Sequence, residues 1–345
     1  MHDVAIVGAG VAGLSMARAL ARVGWDVVVL ERSADGDGCS CGGASSLPVA
    51  LLNPWRGRKG DAHPDDLAGL KAVWRWADEL QREGLSGQAH RSGVLRVATS
   101  ERQARTWRER AGQAASLAWL DRDEVPGYVS APFGAVRVID GGWLRAPAWL
   151  SALAESTRAH GATLRSGAEV QRIARSGDAW RLALRSGEDA LARIVVLAVG
   201  ADEPPGLDGA RGAIPPWPDW VRTRGESVEF QATDSETGVD MPMPVAGAVY
   251  VVSDRTRSWV GGGHRPPESH DASVAETLRA SAAWVRPDLA DASPAAVWCG
   301  VRAKREDARP EVRELTEGVW IFGAFAGRGF LCAADQAERL TRRLS

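Results

Sequence analysis

Apolar and polar residues along this 345-residue chain alternate with three different periods, and each period predicts a different element. Unbroken apolar runs at Val4–Val7, Val27–Leu30 and Ile194–Val199 read as strands buried on both faces, as in a parallel sheet. Helical spacing predicts helices over Val11–Val23, His63–Glu83 with Pro64 near its start, Ser100–Gln113, Pro147–His160, Val274–Val285 and Phe330–Leu344. In the second of these, Leu67, Leu70, Val73, Trp74, Ala77 and Leu80 mark the inward face. Period-two stretches at 93–98, 135–139, 169–174, 180–184, 227–231, 248–252 and 258–260 predict half-buried strands, with turns between them that suit an antiparallel sheet. A last apolar strand, Val319–Phe322, leads through a Gly-rich turn into the final helix. The whole reads as an α/β domain with a parallel sheet, in discontinuous pieces, interrupted twice by parts of a mainly antiparallel domain.

The first thirty-one residues carry the most specific chemistry. Between the first strand and first helix stands Gly8-Ala9-Gly10-Val11-Ala12-Gly13. Gly8 permits the tight turn, Gly10 removes a side chain that would block a pyrophosphate, and Gly13 lets the helix lie close on the sheet. The helix start, including Val11 and Ala12, turns unsatisfied N–H groups and a positive dipole end toward the phosphates. Gly24 supplies the left-handed residue that ends the helix. Glu31 closes the second strand, where its carboxylate can accept from a ribose diol and would repel a 2′-phosphate. Strand, turn, helix, cap and acid in this order predict an adenine-dinucleotide site selective against NADP.

Composition adds limits. The length suggests two domains, and 45% hydrophobic with 25% charged residues is ordinary for a globular protein. A net charge of −2 offers no global field for nucleic acid. No apolar run reaches the roughly 20 residues that span a bilayer, and the early first strand leaves no room for a signal segment, so a cytoplasmic protein without a membrane partner is expected. The four cysteines form no disulfide framework or zinc spacing, and no metal is expected; Cys39 and Cys41 read as small loop residues. Arg102, Arg105, Arg108 and Arg110 read as a solvated helix face. The fifteen tryptophans read mostly as core or domain-interface residues, with some available to line an aromatic cavity.

Several landmarks together resemble the D-amino-acid oxidase and glycine oxidase family of FAD-dependent oxidoreductases. Ala44-Ser45-Ser46 followed by Ala50-Leu51 resembles the family loop beside pyrophosphate and flavin. Val170 matches the strand whose backbone meets adenine, and Val196–Gly200 the strand ending in Ala-x-Gly. Arg224-Gly225-Glu226 resembles the start of the substrate domain, and Val249–Val252 the segment with a substrate-binding tyrosine, here Tyr250. Gly300-Val301-Arg302 resembles the stretch whose arginine grips a substrate carboxylate, with Ala303 in place of the family's proline. Phe322–Leu331 resembles the closing turn against the flavin ring, with Ala324 where many members have His. Gly141–Leu144 and Gly327-Arg328-Gly329 look closer to the oxidase half of the bifunctional enzyme that modifies the wobble uridine of tRNA, and the methyltransferase half is not among these residues.

The resemblance implies an α/β chain. A Rossmann-like FAD-binding domain takes 1–85, 144–212 and 296–345, and an α+β substrate domain with a mainly antiparallel sheet takes 86–143 and 213–295. It implies non-covalent FAD held by Gly8, Gly10, Val11, Ala12, Gly13, Glu31, Arg32, Ser45, Ser46, Ala50, Leu51, Val170, Gly200, Gly300, Arg302, Gly327, Arg328, Gly329, Phe330 and Leu331. Catalysis would rest on Arg302 and Tyr250, with hydride passing from a small amine or amino acid to the flavin and oxygen as one acceptor. Oxidation of a carboxymethyl group on a tRNA nucleoside is the disfavoured alternative, and a flavin protein without turnover is a third. Blander roles stay open at this point: Arg302 as a partner of Glu306 or Asp307, Tyr250 as a core residue, Arg328 as a surface residue. Cys299 reads as a buried free thiol. The oligomeric state is open.

Overall fold

The computed structural model describes residues 1–34, 43–208, 217–231, 242–269 and 271–345. The Cys39/Cys41 pair and most of the loop from Ser33 to Ser46 lie outside these.

Five strands form the parallel heart of the larger sheet, in the spatial order Thr163–Arg165, Val27–Leu30, His2–Val7, Asp189–Leu197, Val319–Gly323. The apolar runs behave as their patterning predicts, because alternate residues feed two cores. Val4 and Ile6 face the helices Val11–Ala21, Pro64–Arg82, Ala146–Ala159 and Gly329–Leu344, whereas Ala5 and Val7 face a layer containing Trp180 and Leu182. That second layer is an antiparallel meander, Val170–Ser176, Ala179–Leu184 and Asp189–Leu197. The strand Asp189–Leu197 forks: its start pairs with the meander and its end with Val319–Gly323.

A second sheet has eight strands: Pro294–Lys304, Val221–Gln231, Arg257–Arg265, Tyr250–Ser253, Val245–Ala246, Val94–Val97, Ala135–Val138 and Leu117–Leu120. Its own core includes Val228, Phe230, Val251 and Val260 packed on Leu278 and Ala282 of the helix Val274–Ala283. The strand Pro294–Lys304 belongs here, pairing along its length with Val221–Gln231, although the sequence segmentation put 296–304 with the nucleotide domain. Its pattern P-A-A-V-W-C-G-V-R-A-K has no clean alternation, so nothing local marked it as a strand. A small sheet of Val49–Leu52, Gly142–Arg145 and Ala89–His90 sits between the two large ones. Among the described residues, no helix is long and apolar enough to cross a membrane.

One charged group is essential to the helical layer. Arg18 is fully buried, its Nε donating to Ser156 Oγ at 3.0 Å and its two terminal nitrogens to Glu79 at 3.2 Å and Glu83 at 2.9 Å. Its guanidinium also stacks 4.6 Å from the Trp76 ring centroid. Three helices are therefore joined through one side chain, and removing it takes the guanidinium from Glu83 and Ser156, while Glu79 keeps Arg22. Arg18→Ala is expected to cost about 2–4 kcal/mol in denaturant unfolding, while Arg172→Ala, which breaks only the exposed bridge to Asp208, should cost no more than about 0.5 kcal/mol.

Candidate active site

The turns at the carboxyl ends of the parallel strands converge, the place where open α/β sheets bind ligands. Gly8 has φ +102°, and a methyl group on it would lie 2.6 Å from the Ala198 carbonyl oxygen. A methyl group on Gly13 would lie 1.8 Å from the Gly8 carbonyl oxygen, so helix and turn touch through bare backbone. The helix beginning at Val11 has no side-chain cap at Gly10 and no acid in its first turn, which leaves its positive end for an anion. The Val11 N–H donates to Ser45 Oγ at 3.1 Å, and Gly10 lies under that serine. Glu31 is buried, with one carboxylate oxygen accepting from the Ala9 N–H at 2.7 Å and the other from the Ser33 N–H at 3.0 Å. Four lone-pair sites on a carboxylate leave two for a ribose diol.

Ser46 differs from Ser45: its hydroxyl donates to the Gly43 carbonyl at 2.7 Å and closes its own turn. Ala50 and Leu51 lie opposite Leu144 and Trp143 in the small sheet. Val170 opens the first meander strand, just after Ala168, whose N–H donates to the Glu31 carbonyl at 2.7 Å. Gly200 turns the chain at φ +68° after the strand Asp189–Leu197. Arg32 points elsewhere, donating to Asp202 at 2.8 Å in an exposed pair.

The second sheet brings its polar residues to the same place by using glycine as floor. Residues directly opposed in an antiparallel ladder share a face. Gly225 opposes Gly300, Ser227 opposes both Trp298 and Gly261, and Gly261 opposes Tyr250. Tyr250 lies flat across Gly261, where a methyl group would fall 2.2 Å from its hydroxyl oxygen. Arg302 lies across Gly225, where a methyl group would fall 2.8 Å from its Nη2. Arg302 Nη2 donates to the Gly263 carbonyl at 2.5 Å, and its buried Nε has no partner among the described residues. Asp307 pairs instead with Arg305, so the sequence alternative of an Asp307 partner for Arg302 is not what the structure shows. Burial pushes the Tyr250 phenol above its ordinary value, against the bond it makes to Ser227 Oγ at 3.5 Å and the nearby Arg302 charge. Burial likewise lowers Arg302, and the neighbouring Tyr250 and Glu226 oppose it.

The last turn closes the site from the other side. Gly327 lies beside Arg302 Nη1, at 3.3 Å for an added methyl group, and Gly329 lies beside Val11 Cγ1, at 2.9 Å. Ala324 and Ala326 flank Phe325 at φ +55° and +54°, a conformation that costs an alanine about 1 kcal/mol or more each. Phe330 and Leu331 begin the final helix, with Leu331 buried in the helical core. Arg328 is not a surface residue: it is buried and donates from Nη1 to Asp66 Oδ1 at 2.8 Å. Burial alone would raise the Asp66 carboxyl, but bonds and charge from Arg328 and Arg56 hold it below its ordinary value. Cys299 is exposed, on the opposite sheet face from Gly300, so the buried thiol expected there is corrected: strand alternation turns it outward.

Sequence reasoning missed Gly225, Gly261, Gly263, Ser227, Trp298 and Asp66. The glycine run 261–263 inside the strand Arg257–Arg265 was the available signal, since interior glycine marks a close approach. Asp66 carried none, because an acid in a helix's first turn is ordinary on dipole grounds alone.

Comparison with known proteins agrees with this geometry. The family described as FAD dependent oxidoreductase (DAO) matches residues 3–343. The chain is 27% identical over 362 residues to the tRNA 5-methylaminomethyl-2-thiouridine biosynthesis bifunctional protein MnmC of Burkholderia mallei, covering 99% of this chain and 48% of that protein. It thus spans about half the length of the curated relatives it matches. The crystal structure of glycine oxidase from Geobacillus kaustophilus superposes with a TM-score of 0.79 at 23% identity, covering 99% of this chain and 95% of that one. That of iminodiacetate oxidase from Chelativorans sp. BNC1 gives 0.78 at 19% identity, covering 98% and 94%.

The residues fit FAD: a helix start with no acid in its first turn, a buried acid with spare acceptor sites, and bare backbone at Gly8, Gly10 and Gly13. A methyl group on Gly300 would fall 2.8 Å from the Ala44 Cα and push back the turn that carries Ser45. Gly300→Ala is therefore expected to weaken FAD binding about tenfold or more, corresponding to overpacking of about 1–3 kcal/mol, measured by fluorescence titration of the apoprotein.

Proposed function

We propose, from the premise that the chain belongs to the DAO family of FAD-dependent oxidoreductases, that it oxidises the C–N bond of a small amino acid or N-substituted glycine. The single observation that carries this reading is that Arg302 and Tyr250 lie over Gly225 and Gly261 on one sheet face, with Arg302 beside the Gly327 turn. An arginine stays charged throughout the working range and offers two parallel donors to a planar carboxylate. Tyr250, held protonated by burial, adds a hydroxyl donor. Together they hold the carboxylate end, so the carbon bearing nitrogen is directed toward the Gly327–Leu331 turn. FAD held there would supply the two-electron acceptor for that carbon, and the imine so formed would be released to hydrolysis.

Arg302 must release the Gly263 carbonyl or share its Nη2 when a carboxylate enters. Its unpartnered Nε is available without any such exchange. Leu51, Trp298 and Tyr250 pack on the Trp143/Trp259 cluster and supply an apolar wall against the substrate side. No general base is required where the amine binds neutral.

A second substrate reading has one specific support, the match over 99% of this chain to a tRNA-modifying relative. The bond broken would be the same, in a carboxymethylamino group carried on a nucleoside. Anaerobic mixing separates the two. Bleaching of the flavin by glycine, sarcosine or D-amino acids supports the small-substrate reading, and bleaching only by modified tRNA supports the other. No bleaching by any amine contradicts both.

Arg302→Ala should raise KM for a carboxylate substrate by about a hundredfold, and Tyr250→Phe by about tenfold, with FAD content unchanged in the second. Because the phenol is raised from its ordinary value, its donor is present at all pH values below about 10, and KM should show no rise from its ionisation in that range. A hydroxyl contribution lost near neutral pH contradicts the role given to Tyr250.

A further inference from the structure

We propose that Asp66 is a positioning residue for the cofactor, holding Arg328 so that the two free donors of its guanidinium face the bound FAD. The assignment rests on FAD binding and extends it to a residue on a different helix.

Asp66 is fully buried on the helix Pro64–Arg82, and Arg328 is 6% exposed. Arg328 Nη1 donates to Asp66 Oδ1 at 2.8 Å, and the Cys332 thiol donates to the same oxygen at 3.3 Å. The other oxygen, Oδ2, accepts from Arg56 Nη2 at 2.6 Å and Nε at 3.1 Å. The helix can come this close because Gly69 packs on the Leu331 backbone, where a methyl group would fall 2.3 Å from the carbonyl oxygen.

One edge of the Arg328 guanidinium is thus fixed, and the rest is not. Nε and Nη2 are buried with no acceptor among the described residues. A buried charged donor without an acceptor costs at least 1–3 kcal/mol, so an acceptor group is called for. The position says what kind. Arg328 lies between Gly327, which touches Arg302, and Gly329, which touches the Val11 helix start. A dinucleotide reaching from the Val11 helix start to Arg302 would pass this turn and would bring carbonyl and phosphate oxygens as acceptors. The neighbouring acid Asp65 is committed elsewhere, accepting from Arg339 at 3.1 Å, and among the described residues Asp66 is the carboxylate that pairs with Arg328.

A purely structural Asp66 would only join the helices Pro64–Arg82 and Gly329–Leu344, and a double-mutant cycle on FAD binding separates the two roles. FAD is titrated onto apoprotein by fluorescence quenching, and the flavin midpoint potential is measured on the reconstituted protein. Arg328→Gln should raise the FAD Kd about tenfold or more and lower the potential, since a cation near the ring favours the reduced form. Asp66→Asn should raise Kd severalfold in the wild-type background and leave Kd and potential unmoved in the Arg328→Gln background. Equal effects of Asp66→Asn in both backgrounds overturn the proposal, as does an Arg328→Gln protein with unchanged Kd and potential. Where Arg328→Gln does not fold, Arg328→Lys carries the cycle, with a smaller rise in Kd expected and the same non-additivity required. A wild-type apoprotein that does not bind FAD overturns the cofactor reading together with this one; altered variants are informative only when the wild type binds.

Discussion

The close approach of Gly300 to Ala44 is the contact on which the rest depends. It is the point where the edge strand of the eight-stranded sheet meets the turn that follows the nucleotide strands. From it, Ser45 reaches the Val11 N–H in one direction and Arg302, two residues along the strand, reaches the Gly327 turn in the other. Lys304 and Phe325 form a further bridge between the same strand and the closing turn. The helix start at Val11, the Gly327 turn and Arg302 are thereby tied to one another through this one contact.

Glycine serves two separate purposes here. Gly8 and Gly13 allow strand, turn and helix to pack without Cβ atoms, which is a requirement of the nucleotide. Gly225 and Gly261 do something else: they let Arg302 and Tyr250, already on one face by strand register, lie flat across the sheet. Charge is handled by a similar economy. Arg18 and Asp66 are both fully buried, and each is surrounded by partners from other elements, so each fixes an angle between helices.

Much of this was legible in the residues, and for identifiable reasons. Helices and strands with strong periods, such as Pro64–Arg82 and Val319–Gly323, lie within a few residues of where their patterns put them. The Gly8–Gly13 turn and Glu31 were legible because their chemistry is local, confined to about thirty residues. Pro294–Lys304 was not, since its partner lies some seventy residues earlier and its sequence has no alternation to reveal a sheet position. The outward turn of Cys299 follows from that same strand and was hidden with it. Arg32 and Arg328 show a third cause: a long side chain near a site can be claimed by a carboxylate distant in sequence, here Asp202 and Asp66.

The central claim, that the glycine floor presents Arg302 and Tyr250 to a carboxylate above bound flavin, is tested most directly by a crystal structure of the FAD-loaded protein soaked with acetate. The account predicts acetate with its carboxylate on the Arg302 guanidinium and the Tyr250 hydroxyl, its methyl group over the flavin ring, and Arg302 Nε engaged. Acetate bound elsewhere, or a flavin ring lying away from the Gly327–Leu331 turn, would contradict it.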